Sequence, residues 1–212
     1  MDLERAFKFP FDDEEWLQKL LIGGVLNVIP IANLATLGYG LRALKNVTEG
    51  EDTPLPTWSE FGDHFVKGLL AFLAVVIYWL PMQVVLCVGG LLDSAIAGGY
   101  DSGPGIFGIC FGILGFVYGI LMSIVLVAAL TKFAREGEFA AFFRFGEILR
   151  YITANLGNLI LAWIVAVLVY IAASIVGGLV CGIGLLLTMP WAMLAAAHLF
   201  GQVYRESQKV VA

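Results

Sequence analysis

Charged side chains are scarce in this 212-residue chain. Only 14% of its residues are Asp, Glu, Lys or Arg, whereas 60% are hydrophobic, and the mean hydropathy is +0.90. An ordinary globular domain has about 25% charged residues, so this composition excludes a soluble enzyme. With 12 basic against 17 acidic residues, the chain also has no polycationic surface for nucleic-acid phosphates. We therefore predict a single integral membrane domain over residues 1–212.

Histidine and cysteine, which supply many metal and nucleophilic sites, are also rare, at two and three copies. The chain has no H-E-x-x-H, no G-x-S-x-G, no Walker loop and no C-x-x-C pair. The sequence therefore predicts a protein that is not an enzyme and that has no catalytic residue, cofactor or metal site.

Long apolar runs, in contrast, are abundant. A membrane-spanning helix needs about 20 mostly apolar residues, and five segments meet this requirement. We therefore predict an all-α polytopic transmembrane bundle with five spanning helices. The segments are Leu17–Gly40, Gly68–Val88, Ile106–Leu130, Leu156–Val176 and Ile183–Tyr204.

The first segment has two interpretations. If Leu17–Gly40 spans the membrane, the acidic residues 1–15 lie outside. If Pro30 breaks the segment into a re-entrant hairpin, residues 1–15 lie inside, and other parts of the protein must shield the irregular backbone from lipid. The length of the segment favours the spanning interpretation.

Basic residues are concentrated in alternate connections. Nine of the twelve lie in connections 41–67 and 131–152 or after the fifth segment, whereas connections 88–105 and 177–182 have none. Because basic loops face the cytoplasm, we expect 41–67 and 131–152 to be cytoplasmic in a multi-pass protein of the cell membrane.

The same alternation places all three cysteines toward the external side, where disulfides can form. They are either small buried hydrophobes with free thiols or include one disulfide, for which Cys87 and Cys110 are the better pair. The third cysteine is Cys181.

Two parts of the sequence are similar to each other. Each has a basic helix exit, an acidic turn around a glycine, and an aromatic-glycine-acidic triplet further on. The pattern predicts a parallel internal duplication with repeat units 17–92 and 104–176 and a fifth helix at 183–204, unless the similarity is only chance at helix exits. The matching residues are Lys45, Glu49-Gly50-Glu51 and Phe61-Gly62-Asp63 against Lys132, Glu136-Gly137-Glu138 and Phe145-Gly146-Glu147.

Aromatic residues cluster in the connection after each exit. Their spacing predicts short amphipathic helices at the membrane interface, which either sense or deform the lipid surface or simply connect two spans. The residues are Trp58, Phe61 and Phe65 in the first connection and Phe139, Phe142 and Phe143 in the second.

Small residues recur at spacings of three or four along the third segment. Such a stripe lets helices approach closely in lipid, so we expect it to pack on another helix of this chain or on a second subunit. The stripe consists of Gly105, Gly108, Gly112, Gly115, Gly119 and Ser123.

Few polar side chains interrupt the apolar segments. Ionisable groups inside a membrane are functional candidates, so His198 is either a proton relay or a partner for a neighbouring helix carbonyl. Asn27, Asn33 and Gln83 either bond between helices or line a polar path. We expect all four on one inward surface in a permeation path, and scattered in a scaffold.

Several short stretches spread over nearly the whole chain form a recognisable pattern. They are Phe9–Lys19, Leu21–Gly24, Ile29–Ile31, Gly38–Gly40, Leu55-Pro56-x-Trp58, Phe61–Asp63 and Ala197–Tyr204. In these stretches the chain resembles an uncharacterised family of small polytopic prokaryotic membrane proteins, the domain-of-unknown-function family DUF4013. The resemblance implies a multi-pass protein of a bacterial or archaeal membrane, with no agreed activity and no catalytic residues.

The sequence favours a structural or scaffolding role, in which the protein assembles through helix packing and binds membrane lipids or a partner. Expected partners are lipids, a second copy of the chain or another membrane protein, but not nucleic acid. The alternative is a small transporter or channel for an uncharged or lipid-like solute.

Overall fold

The structure is a computed structural model that describes residues 2–51, 55–97 and 105–209. These residues form α-helices and short 3₁₀ turns with no strand among them, which confirms the all-α class. The helices are α1 (Leu3–Lys8), α2 (Trp16–Val28), α3 (Asn33–Glu49), α4 (Phe61–Ala97), α5 (Ile106–Glu136), α6 (Phe145–Ala154), α7 (Leu156–Leu179) and α8 (Leu185–Lys209), and the 3₁₀ turns are Phe9–Asp12, Trp58–Glu60 and Phe139–Phe143.

Four helices in the described residues are long and apolar enough to cross a membrane: α4 with the turn before it, α5, α7 and α8. They coincide with the last four predicted segments. α4 pairs with α5, and α7 pairs with α8, so the candidate spans form two helical hairpins. α3 packs against α4 on one side and against α8 on the other, which joins the hairpins together.

The prediction of one continuous helix over Leu17–Gly40 is wrong. The helix stops at Val28 and a new one starts at Asn33, with Pro30 in the non-helical break. Ile31 has a positive φ of 71° in this break, which is unusual for a β-branched residue. Neither α2 nor α3 qualifies as a span, so the described residues have four candidate spans and not five.

The chain before this break runs antiparallel along α8. The backbone N–H of Asp2 donates to Oε1 of Gln202 at 2.6 Å, and Nε2 of Gln202 donates to the Asp2 carbonyl at 2.9 Å. Further along, α2 crosses the start of α8, where Gly24 meets the backbone of Leu186. The break therefore lies near the N-terminal end of α8, and Asp2 lies near its C-terminal end.

α3 returns parallel to α8. Its Gly40 faces Met193, and its Val47 faces Gly201. Residues 2–49 thus form a hairpin whose two ends lie together, at the end of α8 where the chain exits through Arg205. Residues 1–15 were expected on the side opposite the basic exits if the first segment spanned. Asp2 instead lies at the basic end, and Phe7 and Phe9 contact α8 at Trp191 and His198.

Glycines allow backbone contact at the centre of the fold. A Cβ on Gly38 would overlap the carbonyl oxygen of His64, and one on Gly68 would overlap that of Leu34. Gly24 has the same relation to α8. Because these neighbours are backbone atoms in helices, they cannot move aside as a side chain can, so only glycine fits at these positions.

The two basic helix exits have the same local structure. α3 ends at Gly50 (φ 82°) and α5 at Gly137 (φ 74°), both left-handed C-caps. Lys45 pairs with Glu49 and Lys132 with Glu136 at matching positions. The connections then differ, because the first leads straight into α4 whereas the second forms the separate helix α6 before α7. The duplication itself stays a prediction.

The far ends of α4 and α5 are much less packed than the rest. We call residues 83–97 and 105–115 the distal arm, and the part packed around α3 and α8 the base. Among the residues of the distal arm whose burial the structure describes, only Gly89 is buried. The arm is held by Asp93, whose carboxylate accepts from the backbone N–H groups of Phe107 at 3.1 Å and Gly108 at 2.5 Å, in the first turn of α5.

Candidate functional site

An apolar cavity of about 260 Å³ lies where the two hairpins meet. Four helices line it: α3, α5, α7 and α8. α5 makes only slight contact with α7 and α8, which leaves this space unfilled. Val167 and Tyr170 of α7 are the exposed members of the lining, so the cavity opens sideways at α7.

The lining of this cavity has almost no polar chemistry. No charged side chain is among the lining residues. The Thr131 hydroxyl donates to the carbonyl of Val127 in its own helix at 2.9 Å, so it is already satisfied. Tyr170 places a phenol at the mouth. The arrangement suits a hydrocarbon chain with at most one hydrogen-bonding group.

A second cavity, of about 490 Å³, lies between α4, α5 and α6. Pro81 stands in its wall and removes one backbone hydrogen bond from α4. The Tyr118 hydroxyl donates to the carbonyl of Tyr78 at 2.6 Å, and the Tyr78 hydroxyl donates to that of Phe142 at 2.5 Å. These two bonds tie α5 to α4, and α4 to the turn before α6, around the proline.

The four polar residues singled out within the apolar segments do not come together. Asn27, Asn33 and Gln83 are exposed on α2, α3 and α4, whereas His198 is buried in α8. Nδ1 of His198 accepts from Nε2 of Gln202 at 2.9 Å. The His198 ring also stacks on Phe9 at 4.6 Å, so His198 fastens the N-terminal segment to α8.

The small-residue stripe of α5 has mixed surroundings. A Cβ on Gly115 would lie 3.1 Å from Met82, and one on Gly119 would lie 3.2 Å from Trp79, so these two glycines face α4. Gly112 has no atom within 4 Å. Gly105 and Gly108 lie at Asp93, and the Ser123 hydroxyl donates to the carbonyl of Ile120 in its own helix.

The aromatic residues of the two connections also separate into buried and exposed groups. Phe142 is fully buried and stacks on Phe133 at 4.5 Å. Phe139 and Phe143 are half-buried, with edge contacts between their rings. In the first connection Trp58 and Phe65 are half-buried and Phe61 is exposed.

A buried polar cluster in the first connection was not anticipated. Trp58 stacks on Tyr39 at 4.3 Å and donates from Nε1 to the carbonyl of Lys19 at 3.0 Å. His64 is fully buried, with Nε2 2.9 Å from the carbonyl of Thr57 and Nδ1 without a partner among the described residues. The Lys19 ammonium pairs with Asp13 at 2.6 Å, with both side chains largely shielded. Burial raises the pKa of the Tyr39 phenol.

Acidic partners neutralise two cations of the second exit. Lys132 pairs with Glu136 at 2.7 Å and with Glu147, and Arg144 pairs with Glu136 and Glu138 at 2.8 Å. The hydrogen bond and the charge of Lys132 hold the pKa of Glu147 below its usual value. Arg135 lies over the ring of Tyr204 at 4.4 Å, which brings the α5 exit to the α8 exit.

The cysteines Cys87, Cys110 and Cys181 are free and exposed, and Cys181 lies in the turn between α7 and α8. This agrees with the free-thiol interpretation, although the thiols are not buried. Within the described ranges, no group of three or more His, Cys, Asp or Glu residues could hold a metal ion.

Four apolar helices of spanning length, paired as two hairpins, are typical of a polytopic helical membrane protein. The model of the family described as a protein of unknown function, DUF4013, matches residues 22–182, and the chain belongs to this family, as its sequence resemblance indicated. No curated protein and no solved structure matches the chain.

Proposed function

We propose that this protein is a non-enzymatic component of the cell membrane that binds a neutral lipid chain in the cavity between its two hairpins. The observation that carries the proposal is the 260 Å³ space lined by four helices without a charged side chain. An apolar cavity of about 150 Å³ already stays dry and accepts a small hydrocarbon. This cavity is larger, and it opens toward the surface of α7, where the exposed side chains of Leu168 and Ile171 beside the mouth are apolar.

A scaffold agrees better with the polar residues than a channel does. Asn27, Asn33 and Gln83 lie on exposed surfaces of three helices, and His198 is engaged by Gln202. They therefore offer a polar solute no shared surface. The exposed apolar distal arm provides an area for a second copy or another membrane protein, and assembly through it is part of the proposed structural role.

The lipid site can be tested with a photoactivatable diazirine analogue of hexadecanol added to the purified protein in detergent. We expect cross-links on lining residues of α7 and α8, and unlabelled hexadecanol should compete. Ala166→Phe, which fills the cavity from α7, should remove these cross-links. Ala172→Phe is the matched control, because Ala172 is on the same helix but exposed and outside the lining. Equal labelling of both variants would contradict the site.

We also propose that the basic end, with residue 2 and both exits, faces the cytoplasm. The basis is the positive-inside rule together with the contacts that join Asp2, Gly50 and Arg135 to the end of α8. The test uses variants that each keep one cysteine, with the other native cysteines replaced. A single cysteine at Glu4 or at Gly137 should resist a membrane-impermeant maleimide in intact cells, whereas a variant that keeps only the native Cys181 should react. If the cysteine at Glu4 is labelled and the one at Gly137 is protected, the two positions lie on opposite sides of the membrane, and the first segment spans it.

A further inference from the structure

We propose that the cavity between α4, α5 and α6 binds one acyl chain of an anionic phospholipid, with the lipid head group on Arg150. This site is separate from the cavity between the hairpins and does not depend on it. It takes a charged ligand, whereas the first cavity takes a neutral one.

The cavity can accept a chain from the side. Ile77 of α4 and Phe145 and Leu149 of α6 line it and are 42%, 51% and 53% exposed, so its wall is continuous with the lipid-facing surface. Its two phenols, on Tyr78 and Tyr118, already donate to backbone carbonyls within the protein. The lining therefore has little to offer a polar solute, and a hydrocarbon chain is the ligand that it suits.

α6 has the faces of a helix that lies at the membrane interface. Ile148 and Ile152 are buried and attach it to the base. Phe145 and Leu149, one turn apart, form an exposed apolar face beside the cavity. Arg150 lies on the remaining, polar face. Such a helix places its apolar side among acyl chains and its cations among head groups.

Arg150 is the cation that this region leaves uncompensated. Its side chain is exposed, and it makes no ion pair with any residue in the part of the chain that the structure describes. It directly follows the lining residue Leu149 in α6, so its Cα is about 3.8 Å from that of a residue in the cavity wall. Gly146, one turn earlier, has no atom within 4 Å and leaves room beside it. A guanidinium matches a phosphate with two parallel hydrogen bonds, and an uncompensated cation favours a lipid of net negative charge.

The test uses the full-length protein in a mild detergent, with palmitoyl-oleoyl phosphatidylglycerol and the phosphatidylcholine with the same chains. Native mass spectrometry gives the apparent affinity for each lipid. We expect phosphatidylglycerol to bind more tightly. Arg150→Gln should weaken the binding of phosphatidylglycerol about five-fold and leave the affinity for phosphatidylcholine unchanged. Lys8→Gln, which removes the same charge from an exposed position on α1, is the control and should change neither.

Filling the cavity tests the position of the chain. Val125→Phe should weaken the binding of both lipids. If the melting curve shows that Val125→Phe does not fold, Ile77→Phe replaces it, because Ile77 is a more exposed lining residue. Equal affinity for the two lipids, equal effects of Arg150→Gln and Lys8→Gln, or unchanged binding in a folded filling variant would each overturn the proposal. A lipid-free dimer that the filling variant dissociates would also overturn it, because the groove would then belong to a second copy.

Discussion

The base and the distal arm use glycine in opposite ways. In the base, Gly38 and Gly68 bring α3 and α4 into backbone contact, and a Cβ at either position would overlap a carbonyl oxygen of the other helix. In the distal arm, Gly112 faces open space. Burial differs in the same sense. In the most apolar part of α8, 61% of the residues are buried within the chain, whereas in the most apolar part of α5 only 11% are buried.

The comparison shows that apolar content and packing are separate properties in this protein. α5 is more apolar than α8, with a mean hydropathy of 2.6 against 1.3 over the best window, yet it is the less buried of the two. In water the more apolar helix would be expected inside. In a bilayer, lipid is as apolar as the protein interior, so the most apolar helices can face outward and the small residues identify the core.

The largest effect should come from Gly38→Ala in the base. The added Cβ would overlap the carbonyl oxygen of His64, so we expect a loss of about 3 kcal/mol or more, read as a lowered melting temperature in detergent. Gly62→Ala, in the first turn of α4 with no atom within 4 Å, is the matched control and should be near neutral. Similar melting temperatures for the two variants would mean that α3 and α4 are less closely packed than described.

Leucine at two positions of the same stripe should sharpen the contrast within α5. Gly115→Leu places a side chain against Met82 and Leu86, and we expect a loss of about 1–3 kcal/mol. Gly112→Leu meets nothing within the chain and should leave the monomer as stable as before. If Gly112→Leu instead changes the size of the detergent-extracted particle by light scattering, this part of the stripe packs on a second subunit.

Asp93→Ala should loosen the distal arm alone. The substitution removes the acceptor for two backbone N–H groups in the first turn of α5, and a hydrogen bond of this kind contributes about 1–2 kcal/mol. We expect faster amide hydrogen exchange at residues 105–112, with unchanged exchange in α3. A uniform acceleration over the whole chain would show that arm and base unfold as one unit.

The smallest effect should come from Glu147→Gln at the second exit. The pKa of Glu147 is lower in the folded protein than in the unfolded chain. Its ion pair with Lys132 therefore stabilises the fold above the unfolded pKa and is lost as the pH falls through the folded value. Glu147→Gln should lower the melting temperature slightly at pH 7, because the carboxylate is exposed, and the difference from the unchanged protein should shrink as the pH falls below the unfolded pKa. A difference that does not change with pH would assign the effect to packing.

Apolar runs were enough to predict the all-helical class and the four helices that are long and apolar enough to span a membrane. They failed at Leu17–Gly40, where the run length favours a span over the alternative interpretation with a break at Pro30, and the structure has that break. Run length also gives no sign that Asp2, Phe7 and Phe9 contact α8. The stripe was visible in the sequence because its glycines are regularly spaced. The closest contacts use single glycines such as Gly24 and Gly68, whose meaning depends on a partner helix distant in sequence.

His64 was missed for a related reason. It lies in the first turn of α4, where its neighbours in sequence look like a helix cap. Its burial depends on α3, from which Tyr39 contacts its ring and Gly38 its backbone, and on Trp58 in the turn before α4. Its being one of only two histidines in the chain was the sole sequence signal.

The burial of α8 has a consequence for biogenesis. Of the four candidate spans it is the least apolar, and it leaves the ribosome after the other three. A nascent helix of low hydropathy partitions weakly into lipid by itself. The groove into which it fits is formed by α2, α3 and α7, all translated earlier. Membrane integration of α8 and closure of the tertiary fold should therefore be one event, in which Gln202 reaches Asp2 only when the translocation machinery releases the helix.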